Sequence, residues 1–92
     1  MGLRFEWDES KALENEEKHG VPFPEAATVL ADPLSLTIED PHHSRVEVRF
    51  LTIGVSYRRR LLVVWHADRG DVVRIIGARR ATPRERRDYE QT

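Results

Sequence analysis

Arginine side chains are concentrated where this sequence predicts a strand to end and a helix to begin. The apolar, β-branched run 72–78 is followed by Arg79 and Arg80, and then by the tetrapeptide Thr-Pro-Arg-Glu at positions 82–85. The run is typical of a strand buried on at least one face, and the tetrapeptide has the N-cap, the first-turn proline and the later glutamate of a capped helix start. Rigid elements therefore flank this corner. Guanidinium groups held there could bind a phosphate with little reorganisation.

The two halves of the chain carry opposite charge. Residues 1–46 contain 4 Lys/Arg and 10 Asp/Glu, a balance of −6, whereas residues 47–92 contain 11 arginines and 6 acidic residues, a balance of +5. A basic half made wholly of arginine favours bidentate contact with phosphate or carboxylate, because the planar guanidinium matches both. An ordinary solvated surface is the alternative. The arginines lie before and after predicted strands, and not along one face of a helix or in a terminal tail. This placement favours the functional interpretation.

Length and composition limit the remaining classes. The 92 residues predict one domain, 1–92, with a single core. The absence of cysteine excludes disulfides and thiolate zinc sites, and no apolar run is long enough for a signal peptide or a membrane span, so we expect a cytoplasmic protein without membrane contact. His42 and His43 are loop neighbours with no third ligand at zinc spacing, and no glycine-rich phosphate loop occurs. We therefore expect neither a metal nor another cofactor.

Periodicity and turn residues predict an α+β fold. The predicted elements are a strand over 3–7 with Leu3, Phe5 and Trp7 inward, helices over 9–19 and 24–31, strands over 34–39, 46–55, 61–67 and 72–78, and a helix from 83. Short connections between the later strands indicate hairpins. We expect an antiparallel sheet, a meander of three to four strands plus the short N-terminal strand, packed by two N-terminal helices and a C-terminal helix.

The last hairpin predicts which side chains share a face. A two-residue turn at 69–70 pairs Trp65 with Arg74 and His66 with Val73. In this register the packed face of the last strand carries Val73, Ile75 and Gly77, and the opposite face carries Arg74 and Arg80. A slip of one residue would reverse every assignment.

Short motifs occur in one order along nearly the whole chain. They are Phe5-Glu6-Trp7-Asp8 with Lys11, Asn15 with Lys18-His19-Gly20-Val21, Phe23 with Glu25-Ala26, Asp32-Pro33, Glu47 with Arg49, Gly54, Leu62-Val63-Val64, Arg69-Gly70, Arg74-Ile75-Ile76, Ala78-Arg79-Arg80-Ala81-Thr82, and Glu85-Arg86 with Tyr89. Taken together, they resemble the BrnT family, the ribonuclease toxins of bacterial type II toxin–antitoxin operons.

The resemblance implies a RelE-like fold and a ribonuclease that cleaves RNA by metal-independent transesterification and arrests translation. It also implies neutralisation by a BrnA-type antitoxin that itself binds DNA, so that DNA is reached only through the antitoxin. One position departs from the family pattern, because Gly77 stands where the family typically has serine. The missing hydroxyl could weaken an RNA contact or alter packing.

Four arginines at matched family positions, Arg49, Arg74, Arg79 and Arg80, are the predicted catalytic cations. A metal-free ribonuclease needs positive charge against the phosphorane, besides a group that removes the 2′-hydroxyl proton and one that protonates the leaving oxygen. Ion pairing with nearby acidic residues such as Glu47 and Glu85 is the alternative for each arginine. The rival function is a non-catalytic interaction module whose arginine-rich face docks an acidic partner.

Other residues are predicted to assist. Arg58, Arg59 and Arg60 are expected RNA contacts, and Trp65 could stack an RNA base or hold Arg74 by a cation–π contact, with packing favoured. His66 is the histidine inside a predicted strand, and histidine can transfer protons near neutral pH. The predicted register places it on the packed face, which favours a core role over catalysis.

Overall fold

One five-stranded sheet organises the part of the chain that the computed structural model describes, residues 2–42 and 47–91. In chain order the elements are β1 Arg4–Glu6, α1 Glu9–His19, α2 Phe23–Val29, β2 Leu36–Glu39, β3 Phe50–Val55, β4 Leu61–Arg69, β5 Val72–Arg80 and α3 Pro83–Glu90. The strand order is β1-β5-β4-β3-β2, antiparallel from β2 to β5, with β1 parallel to β5. The predicted α+β fold with its antiparallel meander is confirmed.

Local hydrogen bonds explain where the helices begin and end. The Asp8 carboxylate accepts the Lys11 backbone N–H at 3.1 Å to cap α1, which ends at Gly20 with φ 71°. The Thr82 hydroxyl accepts the Glu85 backbone N–H at 3.1 Å, and the Glu85 carboxylate accepts the Thr82 backbone N–H at 2.8 Å. This is the predicted capping box of α3.

Several predicted boundaries are displaced. Helix α2 begins one residue earlier than expected and ends at Val29, while β4 and β5 each run two residues further. Strand β2 starts late because the Asp32 carboxylate accepts the Leu34 backbone N–H at 2.9 Å and the Asp32 carbonyl accepts that of Ser35 at 3.0 Å, which holds this segment in a turn. Part of the predicted strand over 46–55 lies outside the described residues.

The core lies between the sheet and helices α1 and α2, on the side that we call the helix face. Its buried members are Ala12, Val21, Phe23, Ala26, Val29, Leu62, Val64, Val73, Ile75 and Ala78. Trp7 packs on Phe23, with ring centroids 6.0 Å apart. The prediction that Leu3 and Phe5 also point into the core is wrong, since they are 51% and 36% exposed. In the described part of the chain, β1 is an edge strand whose one neighbour in the sheet is β5.

The predicted register of the last hairpin is wrong. Arg69 pairs with Val72, so the turn consists of Gly70 and Asp71, and Gly70 supplies the positive φ of 61° that the first position of a type II′ turn requires. A bulge then shifts the register, so that His66 lies opposite Ile75 and Trp65 lies opposite Gly77. The extra residue in β5 is Ile76.

The bulge changes which β5 side chains face the helices. Val73 and Ile75 face them before the bulge and Ala78 does so after it, in place of the predicted Gly77. Arg74 lies opposite Ala67 on the other side of the sheet, which we call the open face. Arg80 pairs with the core residue Leu62 and so extends toward the helix side. The prediction that Arg74 and Arg80 share a face is therefore wrong.

Helix α3 lies beside the open face and is held there by polar contacts. Two guanidinium nitrogens of Arg79 donate to the Glu85 carboxylate at 2.8 and 2.9 Å, and the Tyr89 hydroxyl donates to the Asp32 carboxylate at 2.8 Å. No α3 side chain is buried within the described residues. The hydrogen bonds from Arg79 are the main cause that lowers the pKa of Glu85 from 4.5 to about 2.

Replacing Glu85 by glutamine should reduce the sensitivity of the fold to acid. Because the folded-state pKa lies below the ordinary value, the stabilisation is complete above about pH 4.5 and is lost as the pH falls toward about 2. We expect Glu85→Gln to lower the free energy of unfolding by about 1–2 kcal/mol at pH 7 and to converge with wild type near pH 2. Urea unfolding at pH 7, 4.5, 3 and 2 measures this. The exposed Glu90→Gln variant is the control, and equal pH profiles for the two variants would contradict the assignment.

Candidate active site

The predicted catalytic arginines do not meet at one corner. Arg49 and Arg74 lie at the end of the open face nearest the β4–β5 turn, Arg79 lies further along that face, and Arg80 leaves the far end of β5 toward the helix side. Five residues of β5 lie between Arg74 and Arg80, and their partners in β4, Ala67 and Leu62, are five positions apart, which corresponds to roughly 17 Å. One phosphate cannot contact both side chains, so the arginines must serve more than one role.

A carboxylate lies among three arginines at the turn end of the open face. Arg69 donates from Nη2 to Glu47 Oε2 at 3.0 Å, and Arg49 Nε lies 3.9 Å from Glu47 Oε1. Arg74 adds its positive charge from β5. We call Glu47, Arg49, Arg69 and Arg74 the Glu47 cluster. It forms because three adjacent strands, β3, β4 and β5, end or begin at this edge with these side chains on the same face.

The electrostatics of the Glu47 cluster keep its carboxylate ionised. The hydrogen bond from Arg69 is the largest effect that lowers the pKa of Glu47, and the charges of Arg49 and Arg74 act in the same direction. An ionised carboxylate can accept a proton, and the neighbouring guanidinium groups can hold a phosphate. Sequence reasoning treated Glu47 only as a partner for arginine. Its position two residues before Arg49 was the available signal, because alternate residues of a strand share a face.

Arg79 is fixed between a tryptophan and a carboxylate. Its guanidinium carbon lies 5.1 Å from the centroid of the Trp65 ring, and its nitrogens form the paired hydrogen bonds to Glu85. The predicted cation–π partner of Trp65 is Arg74, but the bulge places Arg79 beside the ring instead. These contacts commit much of the hydrogen-bonding capacity of Arg79 to holding α3, and the hydrogen bonds to Glu85 raise the pKa of Arg79.

His66 is buried inside a chain of hydrogen bonds. Thr37 Oγ1 and Thr52 Oγ1 are 2.7 Å apart, Thr52 Oγ1 and His66 Nε2 are 2.7 Å apart, and His66 Nδ1 is 2.7 Å from Asp68 Oδ1. An ionised carboxylate only accepts, so Nδ1 donates to Asp68, and in a neutral ring Nε2 then accepts from Thr52. The ring also stacks on Phe50, with centroids 5.8 Å apart. With both nitrogens engaged and the residue 2% exposed, this geometry favours packing over proton transfer to a substrate.

The loop arginines surround a separate cavity of about 300 Å³. Arg59, Arg60, Arg80 and Arg86 line it together with Leu61 and Ala81, and we call it the arginine cavity. Two of the three predicted RNA contacts are partly engaged by α2, because Arg60 donates from Nε to the buried Glu25 carboxylate at 2.8 Å and Arg58 lies 3.9 Å from it. The hydrogen bond from Arg60 is the main cause that lowers the pKa of Glu25.

Asn15 has a structural role that sequence reasoning did not assign. Its side-chain amide donates to the Ala78 carbonyl at 2.9 Å and to the Val21 carbonyl at 3.0 Å, and its oxygen accepts the Ala78 backbone N–H at 3.1 Å. Strand β1 pairs only with residues 72–74 of β5, so beyond it this side chain satisfies the outer edge of β5. A β-carbon added at Gly77 would lie 3.6 Å from Asn15 Oδ1, an ordinary contact, so this position has room for the serine of the family pattern.

Among residues 2–42 and 47–91, no three His, Asp or Glu side chains are grouped as they would be around a metal ion. His43, the neighbour of His42 in the predicted loop, lies outside the described residues. In the same part of the chain, no helix combines the length and the apolar composition that crossing a membrane would require.

The fold and the open face define a small α+β protein that presents a carboxylate among arginines on one side of a mostly antiparallel sheet. A family model described as "Ribonuclease toxin, BrnT, of type II toxin-antitoxin system" matches residues 7–85. The chain therefore belongs to the BrnT family of ribonuclease toxins, as its motifs predicted. This family is one of endoribonucleases that act on RNA and have an antitoxin partner.

A solved structure supports the fold. The crystal structure of the ribonuclease toxin BrnT from Brucella abortus, at 1.1 Å resolution, is similar to this chain with a TM-score of 0.63 and 23% sequence identity. The match covers 87% of this chain and 97% of the Brucella chain. A search of curated proteins found no match.

Replacing His66 by phenylalanine tests whether the ring only packs. Phenylalanine keeps a flat ring but loses both hydrogen bonds, so we expect a stability loss of about 1–3 kcal/mol with cleavage per folded molecule within about threefold of wild type. Thr37→Val, which removes only the outermost hydroxyl of the chain, should cost less. Thermal unfolding and single-turnover RNA cleavage measure the two effects. A hundredfold loss of rate at an unchanged thermal midpoint would show that His66 takes part in proton transfer.

Proposed function

We propose that this protein is an endoribonuclease that cleaves RNA by metal-independent transesterification at the Glu47 cluster. The observation that carries the proposal is the placement of one ionised carboxylate beside three guanidinium groups on an open sheet face. These are two of the requirements for metal-free cleavage, a proton acceptor and preorganised positive charge. Family membership supports RNA as the substrate.

In the proposed reaction Glu47 removes the proton of a 2′-hydroxyl. The 2′-oxygen attacks the adjacent phosphorus, the bond to the 5′-oxygen breaks, and a 2′,3′-cyclic phosphate forms while the 5′-oxygen takes a proton from solvent. Arg49, Arg69 and Arg74 stabilise the negative charge that accumulates on the phosphorane oxygens. Trp65 lies further along the same face, where its ring could stack a neighbouring base.

The ion pair with Arg69 allows Glu47 to become a stronger base when the substrate binds. In the free protein the hydrogen bond from Arg69 stabilises the ionised form and makes Glu47 a weak base. A bound phosphate competes for the same guanidinium group. As Arg69 turns to the phosphate, Glu47 loses its stabilising donor and its affinity for a proton rises at the moment when the 2′-hydroxyl is present.

The cellular role that we propose follows from the family and the charge distribution. RNA cleavage in the cytoplasm would arrest translation, and a BrnA-type antitoxin that itself binds DNA would neutralise the enzyme. Exposed arginines on a ribonuclease are a hazard to the host unless a partner covers them. The acidic or apolar segments of such a partner would complement the basic C-terminal half of the chain.

The carboxylate and the arginines of the Glu47 cluster can be tested separately. We expect Glu47→Gln to lower the single-turnover rate at saturating enzyme by about a hundredfold or more, since glutamine cannot accept the proton. Arg74→Ala should lower it by roughly a hundredfold to a thousandfold, about 2.7–4 kcal/mol, and Arg74→Lys should lie between alanine and wild type. Wild-type cleavage should be unchanged in EDTA.

Arg87→Ala is the matched control, because Arg87 is an exposed α3 arginine that belongs to neither the Glu47 cluster nor the arginine cavity. Arg80→Ala and Arg59→Ala cannot serve as controls for each other, since both residues line the arginine cavity. A Glu47→Gln rate equal to that of wild type would remove the proposed base. Similar losses for Arg74→Ala and Arg87→Ala, both relieved at low salt, would leave only electrostatic binding and support a docking module without catalysis.

Co-expression tests the proposed partner. We expect the protein and the product of the adjacent open reading frame to elute as one complex at micromolar concentration and the complex to cleave no RNA. Separate elution would contradict neutralisation by direct binding. An Arg74→Ala variant that still forms the complex would show that the loss of cleavage in that variant does not result from misfolding.

A further inference from the structure

Among the described residues, four arginines and no acidic residue line the arginine cavity. It lies where the loop between β3 and β4 meets the end of β5 and the start of α3, and its lining consists of Arg59, Arg60, Arg80 and Arg86 with Leu61 and Ala81. Its volume of about 300 Å³ exceeds that of a phosphate group. Four like charges around one space repel one another unless an anion lies among them.

The four arginines differ in how far they are neutralised. Arg60 is anchored, because the Glu25 carboxylate behind it is buried and the Gly20 carbonyl accepts a further N–H at 3.1 Å. Arg86 lies 3.9 Å from Glu90 with both side chains more than half exposed, so this pair is weak. In the described part of the chain, no carboxylate lies within ion-pair distance of Arg59 or Arg80.

The backbone holds Arg59 in a conformation that arginine rarely adopts. Its φ is 63°, and the other positive φ angles among the described residues belong to glycines. The turn is closed by Arg59 N–H to the Ser56 carbonyl at 2.8 Å and by Ser56 N–H to the Arg60 carbonyl at 2.9 Å, while the Ser56 hydroxyl donates to Glu25 at 2.7 Å. Glycine would relieve the strain of a left-handed residue. An arginine at this position therefore lowers the stability of the fold relative to glycine, while its guanidinium lines the cavity.

We propose that the arginine cavity is a second anion site that binds a phosphate of the RNA backbone, with Arg59 and Arg80 as its principal ligands. The identity of the ligand as RNA rests on the proposed function, whereas the anion site rests on the cavity itself. Guanidinium groups match phosphate oxygens in pairs, and Arg60 is held ready by Glu25. The cavity lies at the opposite end of β5 from Arg74, roughly 17 Å away along the strand. It therefore anchors a flanking phosphate and not the one that is cleaved.

Inorganic phosphate tests the site without RNA. The intact protein is titrated with phosphate at constant ionic strength, with chloride as the balancing anion, and binding is followed by calorimetry and by the thermal midpoint. We expect Arg80→Ala and Arg59→Gly to weaken phosphate binding by about tenfold or more, the loss of one charge-assisted contact, and Arg87→Ala to stay within about twofold. Arg59→Gly should keep or raise the thermal midpoint without phosphate, so its loss of binding does not arise from unfolding.

RNA kinetics distinguish an anchoring site from the cleavage site. For a short RNA we expect Arg80→Ala and Arg59→Gly to raise KM by about tenfold with kcat unchanged, in contrast to Glu47→Gln, which should lower kcat. Phosphate affinities of Arg80→Ala and Arg59→Gly equal to that of Arg87→Ala would overturn the proposal. The proposal would also fail if Arg80→Ala and Arg59→Gly lost affinity for the antitoxin while still binding phosphate, because the cavity would then be a protein-docking surface. If the wild type cleaves no RNA but both variants still lose affinity for phosphate and for intact RNA, the proposed function fails and the anion site stands.

Discussion

A single bulged residue in β5 is the constraint on which the functional geometry depends. The bulge opposite Trp65 and His66 changes the alternation of side chains, so that Val73 and Ile75 face the helices before it and Ala78 does so after it. Without it, alternation would place Arg80 on the same face as Arg74 and would remove Arg79 from the Trp65 ring. Asn15 hydrogen-bonds to both backbone polar groups of Ala78 immediately beyond the bulge, which stabilises the irregular edge. The shape of one strand therefore divides the arginines between two sides of the sheet.

Arginine has two kinds of role in this small protein. Arg60 and Arg79 are structural, because each bonds a carboxylate from a helix, Glu25 in α2 and Glu85 in α3. These pairs attach both helices to the sheet with charge-assisted hydrogen bonds, which compensates for the polarity of α3. Other arginines are more exposed, which leaves them accessible to a phosphate: Arg69 and Arg74 in the Glu47 cluster, and Arg59, Arg80 and Arg86 at the arginine cavity. The same residue type thus builds the fold where it is half-buried, and where water reaches it we propose that it binds anions.

The two proposed sites lie at opposite ends of the sheet. The strands between the sites keep their separation constant, so an oligonucleotide that contacts both must span that distance. Rigid separation of an anchoring phosphate from the cleaved phosphate lets binding energy align the substrate without changing the reactive groups. It also means that a protein partner could cover one site and leave the other accessible.

The sequence by itself determined the parts of this protein that depend on near neighbours and on family motifs. The caps of α1 and α3, the order of the elements and the antiparallel hairpins follow from hydrogen bonds and turns that span a few residues, and the motifs identified the BrnT family. Tertiary structure alone decided the bulge, the partner of Trp65, the hydrogen-bond partners of His66 and the position of Glu47 among three arginines. Those features depend on pairing between residues nine or more positions apart, where one residue of register exchanges the faces of a strand. A local pattern cannot select among registers that bury similar apolar surface, whereas packing against α1 and α2 can.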